Sequence, residues 1–303
     1  MARDRTHVEH QGLSTMSSNT STTTSPTAFR IACIQTHPVM LDVAGNVAHQ
    51  VELIRTAVRD GAKLVVLPEC STTGWVFASR AEAATVAESV PDGPTCTTWL
   101  SLCRELDIHI VAGIVERDGD RQYNSAVLLG PDGHIGTFRK AHLWAIEKGF
   151  YDPGDLGFPV FETPLGRIAM HICYDGWFSE AYRIPALCDA DLLCVPANWV
   201  PIPNQPDHMP KMANMLACTH AHMNLVYIAA ASRVGVERDQ PFIGSSIIVD
   251  HSGWPLAGPA SGTDEEIISA VIDPIGSRAE RTGNPFNQPL LDRRTDVYTV
   301  APV

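Results

Sequence analysis

The sequence predicts a layered α/β architecture built from two βα halves, and three observations carry that reading. Apolar segments of strand length alternate with amphipathic segments from Phe29 to Ile272. One pattern occurs twice: RIACIQ at Arg30 and RIAMHI at Arg167 each lead into a helical stretch and then a short apolar run, whose end carries a polar residue, Glu69 or Asn198. At 130–133, GPDG joins two strand-like runs as a hairpin, so the sheets are not purely parallel. The duplication is weak in identity and points to a pseudo-twofold relation between the halves.

Residues 1–28 are polar and rich in Ser and Thr, without the apolar centre of a secretory signal, and are expected to form a disordered extension. A single domain is expected over 29–303. It opens with a strand at 29–35. A helix at 46–60 follows, with Val47, Val51, Ile54 and Val58 on one face and Gly61 where a C-cap belongs. Strand 64–67 ends in Pro68-Glu69. A helix at 94–107 starts on Pro94 and leads into strand 108–115, and the hairpin strands are 123–129 and 134–138. Beyond Arg139-Lys140 comes AHLWAIEKGFYDPGD, which has no clear period; a loop of that length in a compact domain is usually functional.

The second half begins with strand 167–172, which delivers Cys173 at its C-terminal end. Helix 179–188, strand 192–196 and a Pro-rich loop follow, then a helix at 207–223 and strands at 225–231, 243–249 and 267–272. From about residue 274 the chain has little apolar surface of its own, so this tail is expected to hang loose or to pack on a partner subunit.

Composition narrows the function classes. The 303 residues are 45% hydrophobic and 18% charged, enough for one large core. A formal net charge of −12 and the lack of any basic run argue against nucleic-acid and anionic-membrane partners. Apolar runs fall far short of the roughly 18 residues of a membrane span. Eight cysteines without a CxxC pair signal neither a disulfide framework nor a redox motif, so a reducing cytoplasm is expected. No phosphate-binding Gly-rich loop appears, and no cofactor is expected. Cys218, His220 and His222 look like metal ligands, but on a helix only Cys218 and His222 share a face, and two ligands do not make a site.

Catalytic groups in open α/β sheets collect at the C-terminal ends of strands, and a thiol exposed there can ionise and attack. Glu69, Lys140 and Cys173 sit at or just past such ends. Their surroundings, LPE, FRK-x-H and HICYDGW, resemble those of the nitrilase superfamily, the carbon–nitrogen hydrolases, and the likeness covers Phe29 to about Asp273. It implies a four-layer αββα sandwich, a Glu-Lys-Cys triad and pairing of subunits into a homodimer or larger homo-oligomer. EKGFYDPG at 147–154 looks like the family segment that carries a second active-site glutamate, here Glu147.

The chemistry suits such a set. An amide is a poor electrophile and ammonia a poor leaving group, so the reaction gains from passing through a covalent intermediate. Cys173 is then the nucleophile, and Glu69, its pKa raised by burial, the proton carrier. Lys140 and the backbone N–H of Tyr174 are placed to stabilise the oxyanion, while Glu147 holds the substrate amide and orients Glu69 and Lys140. Asn198 and Trp199, the mirror of Glu69 in the second half, are expected to line the pocket, with Tyr174 and Trp144 beside them.

The neighbours of the cysteine bear on the substrate. Tyr174-Asp175 resembles the amide-cleaving branches of the family, and Gly176-Trp177 replaces arginines that carbamoyl-D-amino-acid hydrolases use to hold a carboxylate. A small aliphatic or aryl-aliphatic amide is therefore expected. An N-carbamoyl substrate, an ω-amide held by Arg233, a nitrile, or acyl transfer to an amine remain open on the same triad.

Overall fold

A computed structural model describes residues 25–282, 284 and 286–298 of the chain. Most of the expected N-terminal extension, residues 1–24, lies outside the described residues. Thr27, counted in that extension, instead donates its hydroxyl to the Asp273 carboxylate at 2.6 Å.

The first half contains β1 (Phe29–Gln35), α1 (Val43–Arg59), β2 (Ala62–Val66), α2 (Arg80–Ala84), α3 (Pro94–Leu106), β3 (His109–Asp118), β4 (Arg121–Gly130) and β5 (Gly133–Arg139). The second contains β6 (Val160–Thr163), β7 (Gly166–Met170), α4 (Glu180–Leu187), β8 (Leu192–Pro196), α5 (Met212–Asn224), β9 (Tyr227–Ala231), β10 (Val234–Glu237), β11 (Gln240–Ile243), β12 (Ile247–Val249), β13 (Pro255–Ala257) and β14 (Glu266–Ile272). Two six-stranded sheets result, ordered β14-β1-β2-β3-β4-β5 and β6-β7-β8-β9-β12-β13. Their neighbour relations run identically: antiparallel, parallel, parallel, antiparallel, antiparallel. The pseudo-twofold suggested by the repeated motif is thus present in the topology.

Side-chain alternation assembles the layers. Ile31, Cys33, Leu64 and Val66 face Ile168, Met170 and Cys194 across the gap between the sheets. Their neighbours Ala32, Ile34, Val65 and Leu67 turn outward onto Ile54, Ala57 and Trp99 of α1 and α3. On the other sheet, Ala169, Leu193 and Ile228 pack on Tyr182, Ala217 and Ala221 of α4 and α5. The order is helices, sheet, sheet, helices, the expected αββα sandwich. Among the described residues, no helix is long and apolar enough to cross a membrane.

Several boundaries differ from expectation. Helix α1 begins at Val43 because the Asp42 side chain accepts the Gly45 N–H at 3.0 Å, an N-cap that apolar spacing alone does not reveal. Helix α5 begins at Met212 and not at 207, since Pro210 disfavours helical backbone in the residue before it. The expected strand 243–249 is broken at Gly244 and Ser245, which both take positive φ and turn the chain from the separate β10–β11 hairpin into β12. The start of the tail neither hangs loose nor needs a partner subunit: Arg278 donates to Asp191 at 2.5 and 2.9 Å, and Arg281 pairs with the same carboxylate.

Candidate active site

Glu69 follows β2 on a short loop that β3 holds from beneath. The Leu67 N–H donates to the Val111 carbonyl at 2.8 Å, and the Gly113 N–H donates to the Pro68 carbonyl at 3.0 Å. A Cβ on Gly113 would stand 2.5 Å from the Glu69 Cα, so a bare backbone is required there. Lys140 follows β5, its N–H donating to the Asn124 carbonyl at 2.8 Å and its carbonyl accepting the Gly154 N–H at 2.9 Å. Both side chains are buried.

Between them runs a closed set of hydrogen bonds. Lys140 Nζ donates to Glu69 Oε1 at 2.6 Å and to Glu147 Oε2 at 2.7 Å. Asn124 on β4 donates through Nδ2 to Oε1 of both glutamates, each at 2.7 Å. Glu147 is the third residue of a short 3-10 turn, Ala145–Gly149, and also accepts the Trp144 backbone N–H at 2.7 Å and the Trp75 indole N–H at 2.8 Å. Its two oxygens are therefore each doubly occupied. Glu69 differs: its Oε2 is buried without a hydrogen-bond partner.

Cys173 starts a second 3-10 turn, Cys173–Trp177, with φ at +43°, a conformation that non-glycine residues hold only when the surroundings impose it. Strand β7 ends at Met170, three residues before the thiol rather than directly at it. Asp175 imposes the turn. Its carboxylate accepts the Ile172 N–H at 3.1 Å and, from the loop after Lys140, both the His142 N–H at 2.9 Å and the His142 ring at 2.7 Å. Five of the other cysteines are buried, whereas Cys173 is half-buried and lines a cavity.

That cavity has a volume of about 210 Å³. Glu69, Lys140 and Cys173 all line it. So do Trp144, Tyr174, Asn198 and Trp199, each singled out by sequence, together with Trp75, Trp177 and the segment 200–203. Glu147 lies behind Lys140 and does not line the cavity; it holds Lys140 directly and shares the Asn124 amide with Glu69.

The electrostatics follow from burial and this pairing. Burial raises the Glu69 pKa to about 7, with the charge of Glu147 adding to it, against the opposing pull of Lys140 and Asn124. For Lys140, burial works against the ammonium, but the charges of Glu147 and Glu69 outweigh it and hold the pKa well above its usual value. Burial pushes the Cys173 thiol up, and so does the Glu69 charge, while Lys140 and a backbone hydrogen bond from Asn198 oppose them. At neutral pH the arrangement holds a protonated thiol, a fixed cation and a carboxylate able to take up or release a proton.

Other expectations resolve differently. Arg233 is fully buried, paired with Glu237 at 2.5 Å and stacked on the Phe242 ring, so it is not available to a substrate carboxylate. His220 stacks on Tyr182, while His222 pairs with the Ser252 carbonyl. His171 points into the helical layer, as its place in the alternation requires, and meets Tyr182 edge to face. Sequence reasoning missed Asn124; in β4, RQYNSAVLLG, nothing sets it apart from the neighbouring Gln122 and Ser125.

Comparison with known proteins agrees with the geometry. A family model described as carbon-nitrogen hydrolase matches residues 30–280. A Pyrococcus abyssi protein named nitrilase is 41% identical over 269 residues, covering 89% of this chain and 98% of its own. An N-carbamoylputrescine amidase from Solanum lycopersicum is 32% identical, covering 86% and 90%. Among solved structures, a carbon-nitrogen hydrolase from Helicobacter pylori G27 is 28% identical and superposes with a TM-score of 0.80 over 89% of this chain and 97% of its own.

Proposed function

The chain belongs to the carbon–nitrogen hydrolase family, and from that premise we propose that it hydrolyses small uncharged amides to carboxylic acid and ammonia through a thioester on Cys173. One observation carries the reading: Glu69 is held by one oxygen, while its other, buried and unpartnered, belongs to a residue that shares the cavity with the thiol.

Glu69 takes the thiol proton as the sulfur attacks the amide carbonyl. Lys140 spends two of its three N–H groups on Glu69 and Glu147, leaving the third for the oxyanion, with the Tyr174 backbone N–H as a second donor. Collapse of the tetrahedral intermediate breaks the C–N bond, and Glu69 returns the proton to the departing ammonia. A water then gives its proton to Glu69 and adds to the thioester. Breakdown of that second intermediate releases the acid and restores the thiol.

The cavity walls speak for an apolar acyl group. Away from the Glu69–Lys140 floor they are formed mainly by indoles, Tyr174, Val200, Ile202 and two prolines, with the unpartnered Asn198 amide as one polar group and no further charged side chain. An apolar cavity of about 150 Å³ admits a benzene ring, so about 210 Å³ takes an amide head with a short aliphatic chain or one ring. The burial of Arg233 removes the anchor of the ω-amide alternative.

We further propose a homo-oligomer, which would cover Ile184, Leu187 and Met223 exposed on α4 and α5, and a cytoplasmic setting, in which all eight free cysteines stay reduced. Light scattering tests the first. The activity is tested by following ammonia from purified protein given propionamide, phenylacetamide, citrulline and a matching nitrile, with Cys173→Ala as control. Release from the two uncharged amides is expected; undiminished release by the alanine variant would end the mechanism.

A further inference from the structure

Arg233 and Glu237 form a buried ion pair that touches neither solvent nor the cavity. Two charges removed from water contribute little net stability, and replacing such pairs by apolar residues is often neutral, so what this one holds in place becomes the question. The outward contacts of Glu237 converge on one segment. Glu237 Oε1 accepts the backbone N–H of Trp75 at 2.7 Å and of Val76 at 2.5 Å, while Oε2 takes Arg233 Nη1 at 2.5 Å. Arg233 Nη2 donates to the Pro38 carbonyl at 3.1 Å, and its guanidinium lies 4.2 Å from the centre of the Phe242 ring. That ring meets Trp75 edge to face, with centroids 6.3 Å apart. A Cβ on Gly74 would fall 2.6 Å from Glu237 Oε2, so the chain is pressed onto the carboxylate.

Trp75 passes this fixation on. Its indole N–H donates to Glu147 Oε1 at 2.8 Å, and Glu147 in turn holds Lys140 at 2.7 Å. We propose that Arg233 and Glu237 are positioning residues for the amide-cleaving site: they set the backbone of Trp75 so that its indole N–H fixes Glu147, and through it Lys140 and Glu69. The β10–β11 hairpin, outside both large sheets, thereby becomes a part of the catalytic support. This inference rests on the hydrolase reading above.

Trp75→Phe removes the N–H and keeps a ring; Glu237→Gln keeps the shape and loses the charge. Each is expected to lower kcat roughly ten-fold, the loss of one hydrogen bond to a charged group, with KM little changed in Glu237→Gln and shifted in Trp75→Phe, whose ring is also part of the cavity wall. Without the indole N–H, Glu147 holds Lys140 less firmly, and the Lys140 charge that pulls against the burial-raised pKa of Glu69 acts less strongly. The acid limb of kcat/KM therefore moves to higher pH in both variants. Since both act through one contact, the double variant is expected to be no slower than the worse single one. Arg233→Lys retains part of the activity.

A Glu237→Gln protein with a lowered Tm but unchanged kcat, KM and pH profile would reduce the pair to a structural role and overturn the proposal, as would multiplicative losses in the double variant. If wild type releases no ammonia, the hydrolase reading fails by itself. The alkylation rate of Cys173 against pH then decides the positioning claim: an acid limb displaced alike in both variants supports it, and an unmoved one sinks it.

Discussion

Lys140 binds only one oxygen of Glu69, Oε1 at 2.6 Å, and leaves Oε2 unpartnered. The pair thus differs from an ordinary buried salt bridge, in which geometry and further hydrogen bonds satisfy both ions. Here one oxygen keeps its capacity to accept a proton, and the pKa of about 7 follows from burial outweighing the pull of the cation.

The pH profile tests that balance. Because the Glu69 pKa is raised, the carboxylate form able to take the thiol proton is lost as pH falls through about 7, so kcat/KM is expected to rise with pH through that region. A limb near 4.5 would mean that the carboxylate is solvated as in a free side chain. Glu69→Gln is expected to remove both the limb and the activity.

Lys140→Met deletes the proposed oxyanion donor and leaves two buried carboxylates without the ammonium between them. A loss of about 10² to 10³ in kcat is expected from the first effect, measured at saturating amide. The second appears as a lowered Tm. Lys140→Arg is not expected to rescue activity, since a planar fork cannot reproduce a compact ammonium between Glu69 and Glu147.

Asn124→Leu separates the two glutamates from their shared donor. Losing two charge-assisted hydrogen bonds at once is expected to lower kcat by roughly ten-fold or more and to lower Tm by several degrees, read by steady-state kinetics and thermal melting.

Gly113→Ala places a methyl group against the Glu69 backbone. The expected outcome is a folded protein with a native circular dichroism spectrum and a kcat at least about ten-fold lower, because a displacement of the base by a few tenths of an ångström already misaligns proton transfer. Wild-type kcat would show that the loop moves freely over β3.

Acid stability depends on His171. Burial holds its pKa at about 3, below the ordinary 6.5, with His220 adding to the depression. The unfolded chain therefore binds a proton that the folded chain refuses between those values, and stability is present above pH 6.5 and lost as pH falls toward 3. The loss is on the order of 5 kcal/mol for this group. His171→Leu is expected to flatten the acid side of a denaturation series.

Much of this was legible in the chain. Buried parallel strands read as apolar runs, so RIACIQ, LLCVP and the polar residues beyond their neighbours pointed to the strand ends where Glu69 and Asn198 lie. Asn124 was not legible, because its meaning arises only when β4 brings it to Glu69, 55 residues away, and to Glu147, 23 away. Arg233 misled for a related reason. A lone arginine beside a strand reads as a ligand anchor, and its saturation by Glu237, the Pro38 carbonyl and Phe242 is a tertiary fact. The start of α5 was misplaced although its signal was present: Pro210 falls inside the expected helix 207–223 and disfavours helical backbone before it.

The two halves share one strand plan, yet Glu69 and Lys140 come from the first and Cys173 from the second. Neither repeat alone holds a working set. If the chain arose by doubling of a shorter gene, the copies have since diverged into different tools, Glu69 standing past β2 where the second half carries Asn198 past β8.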